Sequence, residues 1–216
     1  MPKISMKVEG VSGAAAIAAA LVALIGLGAF VSHRSAIEER KAVRAAHDTM
    51  TIAMSATCIN LSGDPDRDFA GLMVPHHQGA VDMAKMELQY GHDPQIRDLA
   101  REVVASQQPQ IAQISRWKQA HPAVVRSNIP AGREGFDAAN KKMMSGMASG
   151  GPASSGNADL DFVRMMMPHH QGAVDMGQIE LELGRDQELR ALAHDIVVAQ
   201  RAEIAQMTAW LRRNGH

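Results

Sequence analysis

The run Met73-Val74-Pro75-His76-His77-Gln78-Gly79-Ala80-Val81-Asp82-Met83 returns as Met166-Met167-Pro168-His169-His170-Gln171-Gly172-Ala173-Val174-Asp175-Met176, with only Val74 replaced, by Met167. The offset is 93 residues (169 − 76). It also maps Met50 onto Met143, Met54 onto Met147, Ser62-Gly63 onto Ser155-Gly156, Asp93 onto Asp186 and Trp117 onto Trp210. Self-similarity at one fixed spacing marks a tandem duplication. Core packing rarely calls for a His-His dipeptide, because each buried imidazole needs a hydrogen-bond partner, whereas soft metal ions bind imidazole and thioether directly. Thioether with imidazole favours Cu(I), with Ag(I) as its chemical mimic, over Zn(II), Mg(II) or Ca(II). The candidate ligands are Met73, His76, His77 and Met83 in one copy and Met166, His169, His170 and Met176 in the other. Met50, Met54, Met143 and Met147 are thioethers that the preceding helices could add. The structural alternative is that methionines fill irregular gaps in a core.

On a helix, Met73, His76, Ala80, Met83 and Glu87 recur every three or four residues and share a face, as do Met166, His169, Ala173, Met176 and Glu180. That stripe is the one expected to face the interior. His77 and His170 lie about 100° further round, so the two rings of one dipeptide serve adjacent sites or meet ligands from different helices. Pro75 and Pro168 either kink their helices beside the histidines or start them. Gly79 and Gly172 let a neighbouring helix come close. Asp82 and Asp175 are placed to orient an imidazole through its other nitrogen.

The elements that position these residues read as helices throughout. Ala36 to about Ile59 is rich in Ala, Glu, Arg and Lys, and Ser62-Gly63-Asp64-Pro65-Asp66 breaks it. Asp68 is a plausible N-cap for the first motif helix, which ends near Gly91. Asp93, followed by Pro94, starts the next helix, with Ile96, Leu99, Val103, Ile111 and Ile114 on one face. His121 to Gly135 holds Pro122, Pro130, Gly132 and Gly135 and reads as a linker. A short helix around Phe136 to Met147, a motif helix from about Leu160 to Leu183 and a last helix from Gln187 to Arg213 complete the second copy. Strand alternation with turn chemistry is missing, so the predicted class is all-α. Two long helices per copy, related by a pseudo-twofold, make a four-helix bundle. The expected boundaries are 1–35 for the N-terminal segment and 36–216 for the helical domain, with repeat one at about 45–120, the linker at 121–135 and repeat two at 136–213.

Composition narrows the function. A net charge of −1 provides no basic field for nucleic acid, and 3% aromatic residues provide few stacking platforms. Fifteen methionines are unusual, and most lie in the duplicated region. The single cysteine, Cys58, has Gly151 as its equivalent; it reads as a small buried apolar residue, with a role as a further ligand as the alternative. Val11 to Val31 is free of charge and long enough to cross a bilayer. It reads as an uncleaved anchor that leaves the rest of the chain outside the cytoplasm, in the periplasm, or as a secretory signal whose removal releases a secreted protein.

With Asp68-Phe69, Met73, Pro75-His76-His77-Gln78-Gly79-Ala80, Met83, Leu99-Ala100, Gln107 and Ile111, the chain resembles the DUF305 family of exported bacterial proteins. The match recurs from Asp161-Phe162 through Met176, Leu192-Ala193, Gln200 and Ile204. The resemblance implies a ferritin-like four-helix arrangement, and some members look like periplasmic copper-binding proteins involved in copper tolerance. Three functions compete. The first is non-catalytic capture or buffering of copper, with a second copy or a copper-handling protein as partner. The second is a di-metal oxidoreductase, which draws on Glu-x-x-His; none occurs, since Glu87 is followed three residues on by Tyr90 and Glu180 by Leu183. The third is a metal-free, membrane-tethered scaffold that binds a protein partner.

Overall fold

The computed structural model describes residues 60–122, 129–150 and 155–216, together with Glu38, Lys41 and Ala45. Among these the long elements are all helices: α1 (Pro65–Tyr90), α2 (Pro94–Ala120), α3 (Pro130–Gly150), α4 (Ala158–Leu183) and α5 (Gln187–Arg213). The all-α expectation holds for them. The anchor or signal segment, Cys58, Met50 and Met54 lie outside the described residues, and among the described ones no helix is long and apolar enough to cross a membrane.

Side-chain chemistry sets the helix starts. Asp93 accepts from Gln95 N at 2.9 Å and Ile96 N at 3.2 Å. Asp186 accepts from Glu188 N at 3.0 Å and Leu189 N at 3.1 Å. Each carboxylate thus satisfies two of the amides that a helix start leaves without partners. For α1 the expected cap is displaced: the helix begins at Pro65, after Asp64, and Asp68 lies in its first turn. Asp68 reaches back instead, accepting from Ser62 N and Ser62 Oγ, both at 2.7 Å, and from Gly63 N at 2.8 Å. Asp161 binds the Ser155 hydroxyl in the same way at 2.7 Å. These turns require Gly63 (φ 82°) and Gly156 (φ 81°), in the left-handed region where a side chain is strained.

Pro75 and Pro168 lie well inside α1 and α4, so neither helix starts at its proline. Each removes one internal hydrogen bond immediately before the paired histidines. Both helices stop at a glycine, but Gly91 (φ −71°) and Gly184 (φ −67°) are extended rather than left-handed. Their use is space: a Cβ at Gly91 would overlap the Glu87 carboxyl, and one at Gly184 the Glu180 carboxyl. α3 also departs from expectation, since it begins at Pro130, within the expected linker, and runs beyond Met147. Gly132 and Gly135 belong to its packing face. A Cβ at Gly132 would stand 3.3 Å from Pro65 Cγ, and one at Gly135 would stand 3.1 Å from Ile179 Cδ1.

α1 packs on α2, α4 on α5, and α3 chiefly on α4, while α1 and α4 meet each other at the centre. The central pair is antiparallel. Near the start of α1, Asp66 accepts from Arg185 N and Asp186 N, both at 2.9 Å, just past the end of α4. Near the start of α4, Asp159 accepts from His92 N at 2.9 Å and Asp93 N at 2.8 Å, just past the end of α1. These contacts are reciprocal at the 93-residue offset. Phe69, Leu72, Met73, Ile96, Val103, Ile114, Met166, Leu189 and Ile196 belong to one buried core between the helices. Each such side chain contributes about 1.5–3 kcal/mol on leaving water.

Candidate metal centre

Because α1 and α4 run antiparallel, residues midway along them face one another, and those residues are the histidine pairs. His76, His77, His169 and His170 are all fully buried. The His76 and His169 rings, one from each helix, lie 3.7 Å apart between centroids. His77 flanks His76 at 6.0 Å and His170 flanks His169 at 6.1 Å. The helical phase expected for His76 and His169 is the one observed. His77 and His170 are buried as well, because α2 and α5 cover the faces on which they project.

Burial pushes His76 and His169 well below the usual imidazole range, and neighbouring histidines add to the shift. For His77, burial outweighs the support of its Gln110 hydrogen bond and lowers the ring to about 4. These rings are therefore neutral at pH 7, each with one N–H and one lone pair. Their partners show which nitrogen keeps the lone pair. His76 Nε2 donates to the His169 carbonyl oxygen at 3.0 Å, and His77 Nε2 donates to Gln110 Oε1 at 2.8 Å. His170 Nε2 lies 2.5 Å from Glu203 Oε2, an ion-pair separation off the line of a regular hydrogen bond. The four Nδ1 atoms, with Nε2 of His169 and of His170, are buried and have no hydrogen-bond partner. A buried polar atom in that state costs on the order of 1–3 kcal/mol. An imidazole held by an oxygen at one nitrogen, with the other nitrogen free, is in the state that metal-ligating histidines adopt.

The candidate methionines among the described residues are buried too, but no contact draws all of them to the histidines. Met73 and Met166 are fully buried, one helical turn from His76 and His169. Met83 and Met176 share the stripe but sit about 10 Å further along by helical rise. Met83 lines a recess with Tyr90, Phe162 and Met165. Met143 and Met147 are buried on α3, and Met143 lies against Gly172, where its Sδ would be 2.8 Å from a Cβ. Close approach of a neighbouring helix at Gly172 is thus observed. Asp82 and Asp175 do not orient the imidazoles: Asp82 takes the Gln78 amide at 2.9 Å, and Asp175 takes Gln171 and Lys142, both at 2.7 Å. Among the described residues no group of three or more His, Cys, Asp or Glu, the paired histidines included, is arranged to hold an ion.

Two features escape inspection of the motif alone. Gln110 and Glu203, the partners of the outer histidines, are equivalent at the 93-residue offset yet differ in charge. The same offset relates two carboxyl pairs, buried Glu87 with Asp159 and buried Glu180 with the half-buried Asp66. Burial, reinforced by the neighbouring aspartate, raises Glu87 and Glu180 to about 9. Of the other described histidines, His92, His194 and His216 are exposed, while His121 is half-buried and stacks on Trp117 at 4.5 Å.

The fold and site define a class: helical-bundle proteins with histidine pairs buried where two antiparallel helices meet. Residues 66–211 match the model of the family described as Domain of unknown function (DUF305), and the chain belongs to that family. Among solved structures it is similar to CopM in its Cu(I)-bound form, at 32% identity over 68% of this chain and 96% of CopM, with a TM-score of 0.52. The Ag-bound form of CopM matches at 31% identity, over 68% of this chain and 96% of that one, with a TM-score of 0.53. A DUF305 protein from Streptomyces coelicolor matches at 27% identity, over 72% of this chain and 95% of that one, with a TM-score of 0.56. No curated protein matches the chain.

Proposed function

We propose that this chain is a non-catalytic, extracytoplasmic copper-binding protein that holds Cu(I) at its histidine pairs for capture, buffering or tolerance. The observation that carries the reading is the set of four buried Nδ1 atoms without partners, on rings of which two, His76 and His77, donate the other nitrogen to an oxygen. A neutral imidazole with a free lone pair in an apolar interior is a ligand waiting for an ion. The thioethers one helical turn before His76 and His169 on the same stripes are those of Met73 and Met166, and Met143 of α3 packs against Gly172. That soft set suits Cu(I) better than a hard or strictly tetrahedral divalent ion. The similarity to CopM, solved with Cu(I), Cu(II) and Ag, supports the same cargo. The finer architecture we assign is a ferritin-like four-helix core (α1, α2, α4 and α5) made from two tandem repeats, with the charge-free segment Val11 to Val31 as membrane anchor or export signal.

Metal analysis of protein purified from copper-supplemented cells tests this reading. Copper that co-purifies with the wild type, and is lost when His76, His77, His169 and His170 are changed to Ala, is the expected result. Equal copper in both proteins would take the histidines out of the site, and none in either points to the metal-free scaffold.

A further inference from the structure

A second set of soft donors lies apart from the histidines. Met83 and Met86 of α1 and Met165 of α4 line one recess where the end of α1 meets the start of α4, with Tyr90 and Phe162 beside them. The recess holds about 20 Å³, room for a single water-sized body. Met83 and Met165 are buried while Met86 and Tyr90 are half-buried, so the recess runs from the surface toward the core. Packing does not require methionine at these positions. At the 93-residue offset Met86 and Met165 correspond to Ile179 and Leu72, and only Met83 keeps its counterpart, Met176. At that other end of the central pair, Gly135 of α3 packs on Ile179, and Gly132 packs on Leu183, the counterpart of Tyr90. One duplicated architecture thus fills the same places with aliphatic side chains at one end and thioethers at the other. Met165 lies one turn before His169, about 6 Å by helical rise, and Met83 lies two turns after His76, about 10 Å.

We propose that Met83, Met86 and Met165 form a thioether-only entry site for Cu(I), separate from the histidine centre, which takes the ion at the surface and passes it along the seam between α1 and α4. The inference rests on the copper-binding reading above and deepens it. Three neutral thioethers suit a soft monovalent ion, whereas Zn(II), Mg(II) and Ca(II) look for imidazole, thiolate or oxygen. Methionine is unbranched and adaptable, so the three sulfurs can close on an ion and release it without repacking the helices. Transfer is an exchange of thioether for imidazole ligands at constant oxidation state. With no imidazole of its own, the recess holds Cu(I) more loosely than the centre does, and it gives the ion up to a chelator that the centre withstands.

The full chain, labelled with 13C at its methionine methyls, tests this with Ag(I) and Zn(II) as probes. In the wild type Ag(I) should shift the Met83, Met86 and Met165 methyl resonances together, and Zn(II) should leave them in place. The same Ag(I) response should persist when His76, His77, His169 and His170 are changed to Ala. Met86→Ile with Met165→Leu installs the residues of the other half and so keeps the packing. In that variant the Met83 methyl should lose its response to Ag(I), and the histidine centre should still bind Cu(I) but load more slowly in stopped-flow mixing. Recess methyls that ignore Ag(I), while histidine 15N resonances shift, overturn the entry site and leave the copper reading standing. Methyls that respond only when the four histidines are present, or that respond equally to Zn(II), overturn it too. Loading of the double variant as fast as the wild type overturns the role in entry. If neither methionine nor histidine resonances respond, the copper reading fails and this inference with it.

Discussion

Four imidazoles in a dry core are costly unless something uses their lone pairs, and their partners here decide what is free. On His76 and His77 Nε2 donates to an oxygen, which leaves Nδ1 as the donor. The motif made the inward phase of His76 and His169 legible from sequence, because helical periodicity alone requires it. The burial of His77 and His170 was not legible, since it depends on how many helices pack around α1 and α4. The expectation that Asp82 and Asp175 orient the rings failed for a local reason: Gln78 and Gln171, four residues earlier on the same helices, claim those carboxylates. At this scale the account makes a steric prediction. Gly91→Ala and Gly184→Ala place a methyl against the Glu87 and Glu180 carboxyls, and each should destabilise the protein by about 1–3 kcal/mol. Urea unfolding checks this, and an unchanged midpoint would mean that the folded-back glutamates are easily displaced.

The helices hold the centre through their ends. Asp93 caps α2 and also accepts from Trp210 Nε1 of α5 at 3.0 Å, so one carboxylate both starts a helix and ties the two halves together. Burial raises the Asp93 carboxyl, but the bonds from Trp210, Ile96 and Gln95 outweigh it, and the net shift is downward. Asp93→Ala should therefore cost about 1–2 kcal/mol in the cap alone. A loss indistinguishable from that of an exposed Asp98→Ala control would contradict the dual role. Two of these starts, Asp93 and Asp186, were legible because a carboxylate directly precedes the helical pattern. The start of α1 was misplaced because Asp68 resembles a cap yet bonds backward to Ser62 and Gly63. α3 was read too short because glycine signals both a linker and a close helix contact, and only the presence of Pro65, Leu183 and Ile179 opposite Gly132 and Gly135 decides between them.

Across the molecule, the buried acids and bases act against each other as pH changes. His76, His77 and His169 are held below 6.5, so the unfolded chain takes up protons that the fold refuses, and stability is lost as pH falls from about 6.5, for His77 down to about 4. Glu87 and Glu180 are raised from 4.5 to about 9, so the fold keeps protons that the unfolded chain releases, and stability is lost as pH rises through that interval. Between 4.5 and 6.5 three histidines outweigh two glutamates, so the metal-free protein should be most stable near pH 6.5, where the histidine effect ends and the glutamate effect continues. Urea midpoints across about pH 4 to 9 check this. Glu87→Gln with Glu180→Gln should flatten the fall above pH 6.5 and steepen the rise below it, and a midpoint that still climbs steadily above pH 6.5 in the wild type would refute this account.

The central claim is that the free imidazole nitrogens exist to take Cu(I). Anaerobic competition titration of the metal-free protein against a Cu(I) chelator, wild type beside the variant with Ala at His76, His77, His169 and His170, tests it most directly, with helical circular dichroism recorded on both. Tight Cu(I) binding by the wild type, lost in the variant while the helices remain, is the predicted result. Equal Cu(I) affinity in the two folded proteins would contradict the account.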